Sequence, residues 1–157
     1  MLANIAAGLM IFSSSVIGQG TTSAQSTFPT VLAERVIVAD AKYLDHTRRD
    51  QIEQYVRTYF EDVPILAEVA FCESTFRQLG LDGKPLRGNV NGDDVGIMQI
   101  NEYYHKDTAD KLGYELSDID GNLGYARYLF KREGVKPWSS SSMCWKKTEA
   151  YENLVLN

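Results

Sequence analysis

Glu73 stands in the setting that best suits chemistry. If residues 65–76 form a helix, then at about 100° per residue Ile65, Leu66, Val69, Ala70, Cys72 and Phe76 fill one continuous arc. Glu73 projects into that arc, between Leu66 and Val69. A carboxyl group placed among apolar side chains loses hydration of its charged form, so its pKa rises and it keeps its proton near neutral pH. That is the state required of a general acid. Glu68 projects outside the arc and reads as solvated. Helical geometry leaves one alternative open: so near a helix end, Glu73 frays into water or pairs with Arg77.

The other reactive side chains are few. Cys72 and Cys144 form an even pair, and a disulfide is the expectation if the chain leaves the reducing cytosol; two buried free thiols are the alternative. A bridge would close a loop of roughly 70 residues, for which loop entropy gives on the order of 4 kcal/mol. His46 and His105 are the only histidines, and no C-x-x-C or H-E-x-x-H arrangement occurs, so neither a metal site nor a cofactor is expected. His105 reads as a surface helix residue. Asp93 and Asp94 offer a possible second carboxylate, but within Asn91-Gly92-Asp93-Asp94 they read first as turn-capping residues. Trp138, Trp145, Tyr103 and Tyr104 have faces that suit sugar rings; for each one taken alone, packing is the expectation.

These residues need a scaffold. Ile52, Tyr55, Val56, Tyr59 and Phe60 mark an amphipathic helix within residues 42–62, with Thr47 or Asp50 as its cap. Asp62-Val63-Pro64 opens a second helix running to about Thr75, and Gly80 ends any helical pattern. Asp82-Gly83 and Asn91-Gly92 bracket Lys84 to Val90, a pattern for small hairpin strands, which places a minor β-region near residues 79–95. Ser117 with Asp120 resembles a capping box before a helix carrying Ile119, Leu123, Ala126, Leu129 and Phe130, stopped at Gly134. The segment from Pro137 to Trp145 reads as irregular. The fold class expected is mainly α (α+β).

Composition bounds the rest. The chain has 157 residues, a size suited to one domain, and its formal net charge of -5 has the wrong sign for holding phosphate backbones, so no nucleic-acid partner is expected. The first charged side chain is Glu34. Before it, the mostly apolar stretch from Leu2 to Ile17 and the small residues Thr22-Ser23-Ala24 read as a signal peptide over residues 1–24, although the usual Lys or Arg near its start is missing. Residues 25–34 then read as a flexible leader, 35–145 as the domain and 146–157 as a tail. The longest apolar run, Ile5 to Phe12, is too short to span a bilayer, so no stable membrane span is expected once the leader is removed. The expected location is secreted, periplasmic or cell-wall associated, as a monomer.

Three ordered motifs carry a resemblance. Ala67-Glu68-Val69-Ala70-Phe71-Cys72-Glu73-Ser74-Thr75-Phe76, then Gly96-Ile97-Met98-Gln99-Ile100-Asn101, then Gly121-Asn122-Leu123-Gly124-Tyr125-Ala126-Arg127-Tyr128-Leu129 together resemble the soluble lytic transglycosylase (SLT) family of the lysozyme-like superfamily. The resemblance covers about residues 63–133. It implies a helical lysozyme-like domain that cleaves the β-1,4 bond between N-acetylmuramic acid and N-acetylglucosamine in peptidoglycan glycan strands. It further implies that Glu73 is the catalytic acid/base, that Ser74 helps orient it, and that Gln99, the Met98 backbone and the Asn101 position line the sugar-binding cleft. The Cys-Glu-Ser triplet and the Trp138 to Trp145 segment are also similar to the resuscitation-promoting factors, which implies that Cys72 and Cys144 staple the catalytic helix to the C-terminal loop.

Two departures shape the expected reaction. The A-Y-N motif that follows the third SLT helix is absent, and Val135-Lys136-Pro137-Trp138 with its serine run stands in its place. Goose-type lysozymes carry an aspartate where this chain has Asn101, and an amide cannot activate water as a base. A hydrolase needs a second carboxylate across the scissile bond. A lytic transglycosylase does not, because the substrate's own C6 hydroxyl closes onto C1 and one glutamate serves as acid and then base, forming a 1,6-anhydro sugar. The transglycosylase is therefore the expected activity, with a lysozyme-type muramidase and a non-catalytic wall-binding domain as alternatives. A thiol enzyme using Cys72 with His46 or His105 is a third.

Overall fold

The computed structural model of the chain describes residues 41–156. The signal-peptide and leader expectations fall on residues outside this range. After a 3-10 turn at Ala41–Tyr43, the order is α1 (Arg49–Tyr59), α2 (Ile65–Ser74), β1 (Asp94–Val95), β2 (Ile100–Asn101), α3 (Glu102–Leu112) and α4 (Ile119–Glu133). A 3-10 segment at Lys136–Ser141, α5 (Ser142–Trp145) and α6 (Glu149–Leu156) follow. The fold is mainly helical with one small antiparallel sheet, as the sequence patterns predict.

Helix α2 is the centre. Ile65, Leu66, Ala67, Val69, Ala70 and Ser74 are all buried, the pattern of a helix covered on most sides. Helices α1, α5, α6 and the Lys136–Ser141 segment pack on it. Leu66 and Val69 have no exposed surface, and burying side chains of this size contributes about 1.5–3 kcal/mol each. On α1 the stripe of Ile52, Tyr55 and Val56, continued by Phe60, faces this core. Its expected caps do other work: Thr47 bonds Asp45 through both its N–H and its hydroxyl, and Asp50 pairs with Arg48.

Helix α4 begins one residue later than the capping-box pattern suggests. Asp118 is the N-cap and accepts from the Asp120 and Gly121 N–H groups at 2.8 and 3.3 Å, while Ser117 bonds Glu115. Gly134, at φ 62°, ends the helix as expected.

The β-region is displaced along the chain. The two strands are Asp94–Val95 and Ile100–Asn101, with Asp94 opposite Asn101 and Val95 opposite Ile100. Residues 84–90 contribute only isolated bridges, Leu79 with Pro85 and Arg87 with Val95. Pairing requires a partner with buried side chains. Val95 and Ile100 are buried, whereas Val90 is fully exposed. The C-terminal segment is more ordered than its composition suggests: Pro137 to Trp145 forms the 3-10 segment and α5, and α6 occupies most of the expected tail.

Candidate active site

Glu73 lies in the last turn of α2 and is half-buried. The backbone leaves the helix abruptly after it. Thr75 and Phe76 both adopt left-handed conformations, at φ 54° and 59°, where glycine is the usual occupant. Each non-glycine residue there costs on the order of 1–2 kcal/mol. Burial of Phe76 offsets the cost: its ring is covered, packs 5.7 Å from that of Phe71, and carries the Arg57 guanidinium at 5.3 Å. The strain sits two and three residues beyond Glu73 and fixes the direction of the helix end.

Three contacts define the environment of the carboxyl group. Burial pushes its pKa above the ordinary carboxyl value, the Ser141 hydroxyl opposes that rise by donating to Oε1 at 2.7 Å, and the negative charge of Asp94 adds to it. The net direction is upward, toward a protonated acid. Arg77 does not pair with Glu73; its Nε donates to the Ser74 carbonyl at 2.9 Å. Fraying into water is likewise not what the structure shows.

The carboxylate whose charge acts on Glu73 is Asp94. Its Oδ1 accepts from the Asn101 Nδ2 at 2.7 Å, across the strand pair, and the Asn101 Oδ1 accepts from the Tyr104 N–H as the cap of α3. The Asp94 side chain thus bonds across the strand pair rather than capping the turn, and its charge acts on Glu73. Asp93 keeps a turn role: its N–H donates to Asn91 Oδ1, and its carbonyl accepts from the Glu102 N–H.

The Gly96-Ile97-Met98-Gln99 turn joins β1 to β2 and is pinned by side chains from three other segments. Gln78 Oε1 accepts from the Ile97 N–H, Asn122 Oδ1 accepts from the Met98 N–H, both at 2.9 Å, and the Trp138 indole donates to the Met98 carbonyl at 3.0 Å. Gly96 is at φ 73°, and a Cβ there would lie 2.5 Å from Asn122 Nδ2, so conformation and space both require glycine. Sequence reasoning missed Gln78 and Asn122. A signal existed for Asn122, because it projects between Leu129 and Ala126 on the apolar face of α4, the same anomaly that singles out Glu73.

Several implied roles change. Ser74 is buried and its hydroxyl does not bond the Glu73 carboxyl group; it donates to the Ala70 carbonyl and accepts from the Arg77 N–H, so it closes the helix end. Met98 has its N–H and carbonyl engaged inside the protein and forms part of the floor, not a hydrogen-bonding wall for sugar. Gln99, at φ 48°, bonds the Gly96 carbonyl through Nε2 at 2.8 Å and stays partly accessible. Trp138 and Trp145 are core residues, 3% and 2% exposed, as packing predicts. Tyr103 and Tyr104 depart from that expectation: they are 78% and 74% exposed, edge to face, directly beyond the Asn101 cap.

Cys72 and Cys144 form a disulfide that ties α2, one residue before Glu73, to α5. Neither cysteine is free to act as a nucleophile, which removes the thiol-enzyme alternative. His105 is half-buried against Tyr125, with Nδ1 3.1 Å from the phenol oxygen, and burial lowers its pKa. It is not the surface residue its sequence context suggests. Among the described residues no group of acidic, histidine or cysteine side chains is arranged to hold a metal ion, and no helix is long and apolar enough to cross a membrane.

A depression of about 680 Å³ lies at the other end of α2 between Val63, Pro64, Ile65, Phe130, Ala150 and Leu154. Glu73 is not part of it. Glu73 and Asp94 are both partly accessible. Comparison with family models, with curated proteins and with solved structures finds no match.

Proposed function

We propose that this protein cleaves peptidoglycan glycan strands at the β-1,4 bond after N-acetylmuramic acid, with Glu73 as general acid. The observation that carries the proposal is the half-buried carboxyl group whose pKa is raised, with Oε1 bonded to Ser141 and Oε2 without a hydrogen-bond partner among the described residues. Such a group can hand a proton from Oε2 to the leaving glycosidic oxygen. The three motifs that resemble the lytic transglycosylases support the choice of substrate. Their implied reaction is attack by the C6 hydroxyl on C1, with Glu73 then taking up that hydroxyl's proton to give a 1,6-anhydro product.

A second reading, hydrolysis by a muramidase, is favoured by Asp94. Its carboxylate is held by Asn101 and its charge acts on Glu73, which supports a role for it as the second carboxylate that a hydrolase uses to stabilise or capture an oxocarbenium-like sugar. The argument from Asn101 against hydrolysis loses force accordingly.

The disulfide and the uncharged leader support an exported protein acting on the wall. The direct test is release of soluble muropeptides from purified peptidoglycan by the full chain. Release that falls at least a hundredfold in Glu73→Gln supports the proposal. A folded, disulfide-bonded protein that releases nothing from several wall types favours the non-catalytic binding domain instead.

A further inference from the structure

Ser141 stands in the segment that replaces the missing A-Y-N motif, 68 residues from Glu73 in sequence. Its hydroxyl meets three polar atoms: Glu73 Oε1 at 2.7 Å, the Trp138 carbonyl at 3.1 Å and the Trp145 indole nitrogen at 3.1 Å. A serine hydroxyl has one proton to give and two lone pairs to offer. The indole N–H can only donate, and it is shared between the Trp138 carbonyl at 3.0 Å and Ser141 Oγ at 3.1 Å, so it occupies a lone pair on each and turns the hydroxyl proton away from itself. Of the two acceptors left, the glutamate oxygen is nearer and carries more charge. Ser141 therefore donates to Oε1, and accepting from Trp145 strengthens that donation.

The consequence concerns the two oxygens of one carboxyl group. If Oε1 carried the acidic proton, Ser141 would have to turn its own proton to the more distant Trp138 carbonyl, which already accepts from the Trp145 indole. If Oε2 carries it, Ser141 keeps its bond to Oε1 whether Glu73 is ionised or neutral, and the acidic proton faces away from the protein interior. We infer that the Trp145–Ser141 pair is a positioning relay that reserves Oε1 as an acceptor and so places the transferable proton of Glu73 on Oε2. This rests on Glu73 being the general acid. Ser141 and Trp145 are positioning residues here; neither touches the reacting atoms.

Cys72–Cys144 and the packing of Trp145 hold the relay in register. Trp145 is 2% exposed, and the disulfide joins the residues immediately before Glu73 and immediately before Trp145. The groups with charge facing Glu73 are few: Asp94 from β1 is the one whose charge acts on it, and Ser141 is its hydrogen-bond donor.

The relay makes a prediction that does not depend on activity. In ¹H–¹⁵N spectra of the wild-type protein, the Trp145 indole resonance should shift with the same pH midpoint as the Glu73 carboxyl carbon. The Trp138 indole, bonded to the Met98 carbonyl, should not. The Trp145 shift should vanish in Glu73→Gln. A Trp145 indole that ignores the titration of Glu73 overturns the inference.

Kinetics gives the second arm. Ser141→Ala should lower kcat at least tenfold with KM within about twofold, and should move the alkaline limb of the pH–rate profile upward, because the donated bond holds the Glu73 pKa down. Ser141→Thr, which keeps the hydroxyl, should restore both within about threefold. A purely structural serine would lower the rate equally at every pH, and that result, or an unchanged kcat in Ser141→Ala, counts against the relay. If Glu73→Gln is as active as wild type, the proposed function fails; if Glu73→Gln is inactive while Ser141→Ala is unaffected, only the relay fails.

Discussion

The side-chain amide of Asn101 donates to the Asp94 carboxylate at 2.7 Å and holds it within electrostatic reach of Glu73. Replacing Asp94 by Asn removes a charge that raises the Glu73 pKa while leaving an acceptor for Asn101. The alkaline limb of the pH–rate profile, which reports loss of the protonated acid, should then move to lower pH. An unmoved limb would mean that Asp94 does not sense Glu73. The products of this variant also separate the two readings, since a hydrolase should lose at least a hundredfold in kcat and a transglycosylase far less.

Stability should carry the same signature. The folded-state pKa of Glu73 is raised, so the protonated carboxyl favours the fold at low pH and this contribution is lost as pH rises through the folded-state value. Glu73→Gln lacks that loss. The difference in Tm between Glu73→Gln and wild type should therefore grow in favour of the variant from acid to neutral pH, as differential scanning fluorimetry can measure. A constant difference would indicate that Glu73 titrates normally.

Asn122 makes three buried bonds, to the Val95 and Leu116 carbonyls and from the Met98 N–H. Asn122→Ala leaves those groups unsatisfied and should cost on the order of 3 kcal/mol or more, as each stranded buried group costs about 1–3 kcal/mol. Urea denaturation would register this. A loss below about 1 kcal/mol would show that the turn under the site is held by other contacts.

The exposed pair Tyr103 and Tyr104 calls for a binding readout. Either tyrosine changed to Ala should raise KM for glycan severalfold with Tm changed by less than about 2 °C, because surface substitutions away from packing alter stability little. An unchanged KM would remove the pair from the cleft.

Reduction gives a further check. Cys144→Ser removes a cross-link between residues 72 positions apart and should destabilise by about 2–4 kcal/mol. Thermal unfolding of the variant and of the reduced wild type should agree.

Much of this organisation is legible in the residues. Helices α1, α2 and α4 follow from apolar periodicity, and the inward projection of Glu73 follows from the same arithmetic, because burial around a helix repeats with its turn. The β-region is legible only in outline, since turn residues mark where the chain reverses but not which strands bury side chains. The Ser141 bond and the Asp94–Asn101 pair join segments far apart in sequence or across a sheet register, and no local pattern encodes either. The left-handed Thr75 and Phe76 are equally invisible, because tertiary packing of Phe76 overrides the preference of both residues.

The most direct test of the central claim is mass spectrometry of the products released from purified peptidoglycan by the wild-type chain and by Glu73→Gln. The expected result is release of 1,6-anhydro-muramyl products by the wild type and none above background by the variant, with reducing-end products assigning the reaction to hydrolysis assisted by Asp94. Equal release by wild type and Glu73→Gln would contradict the assignment of Glu73 as the general acid.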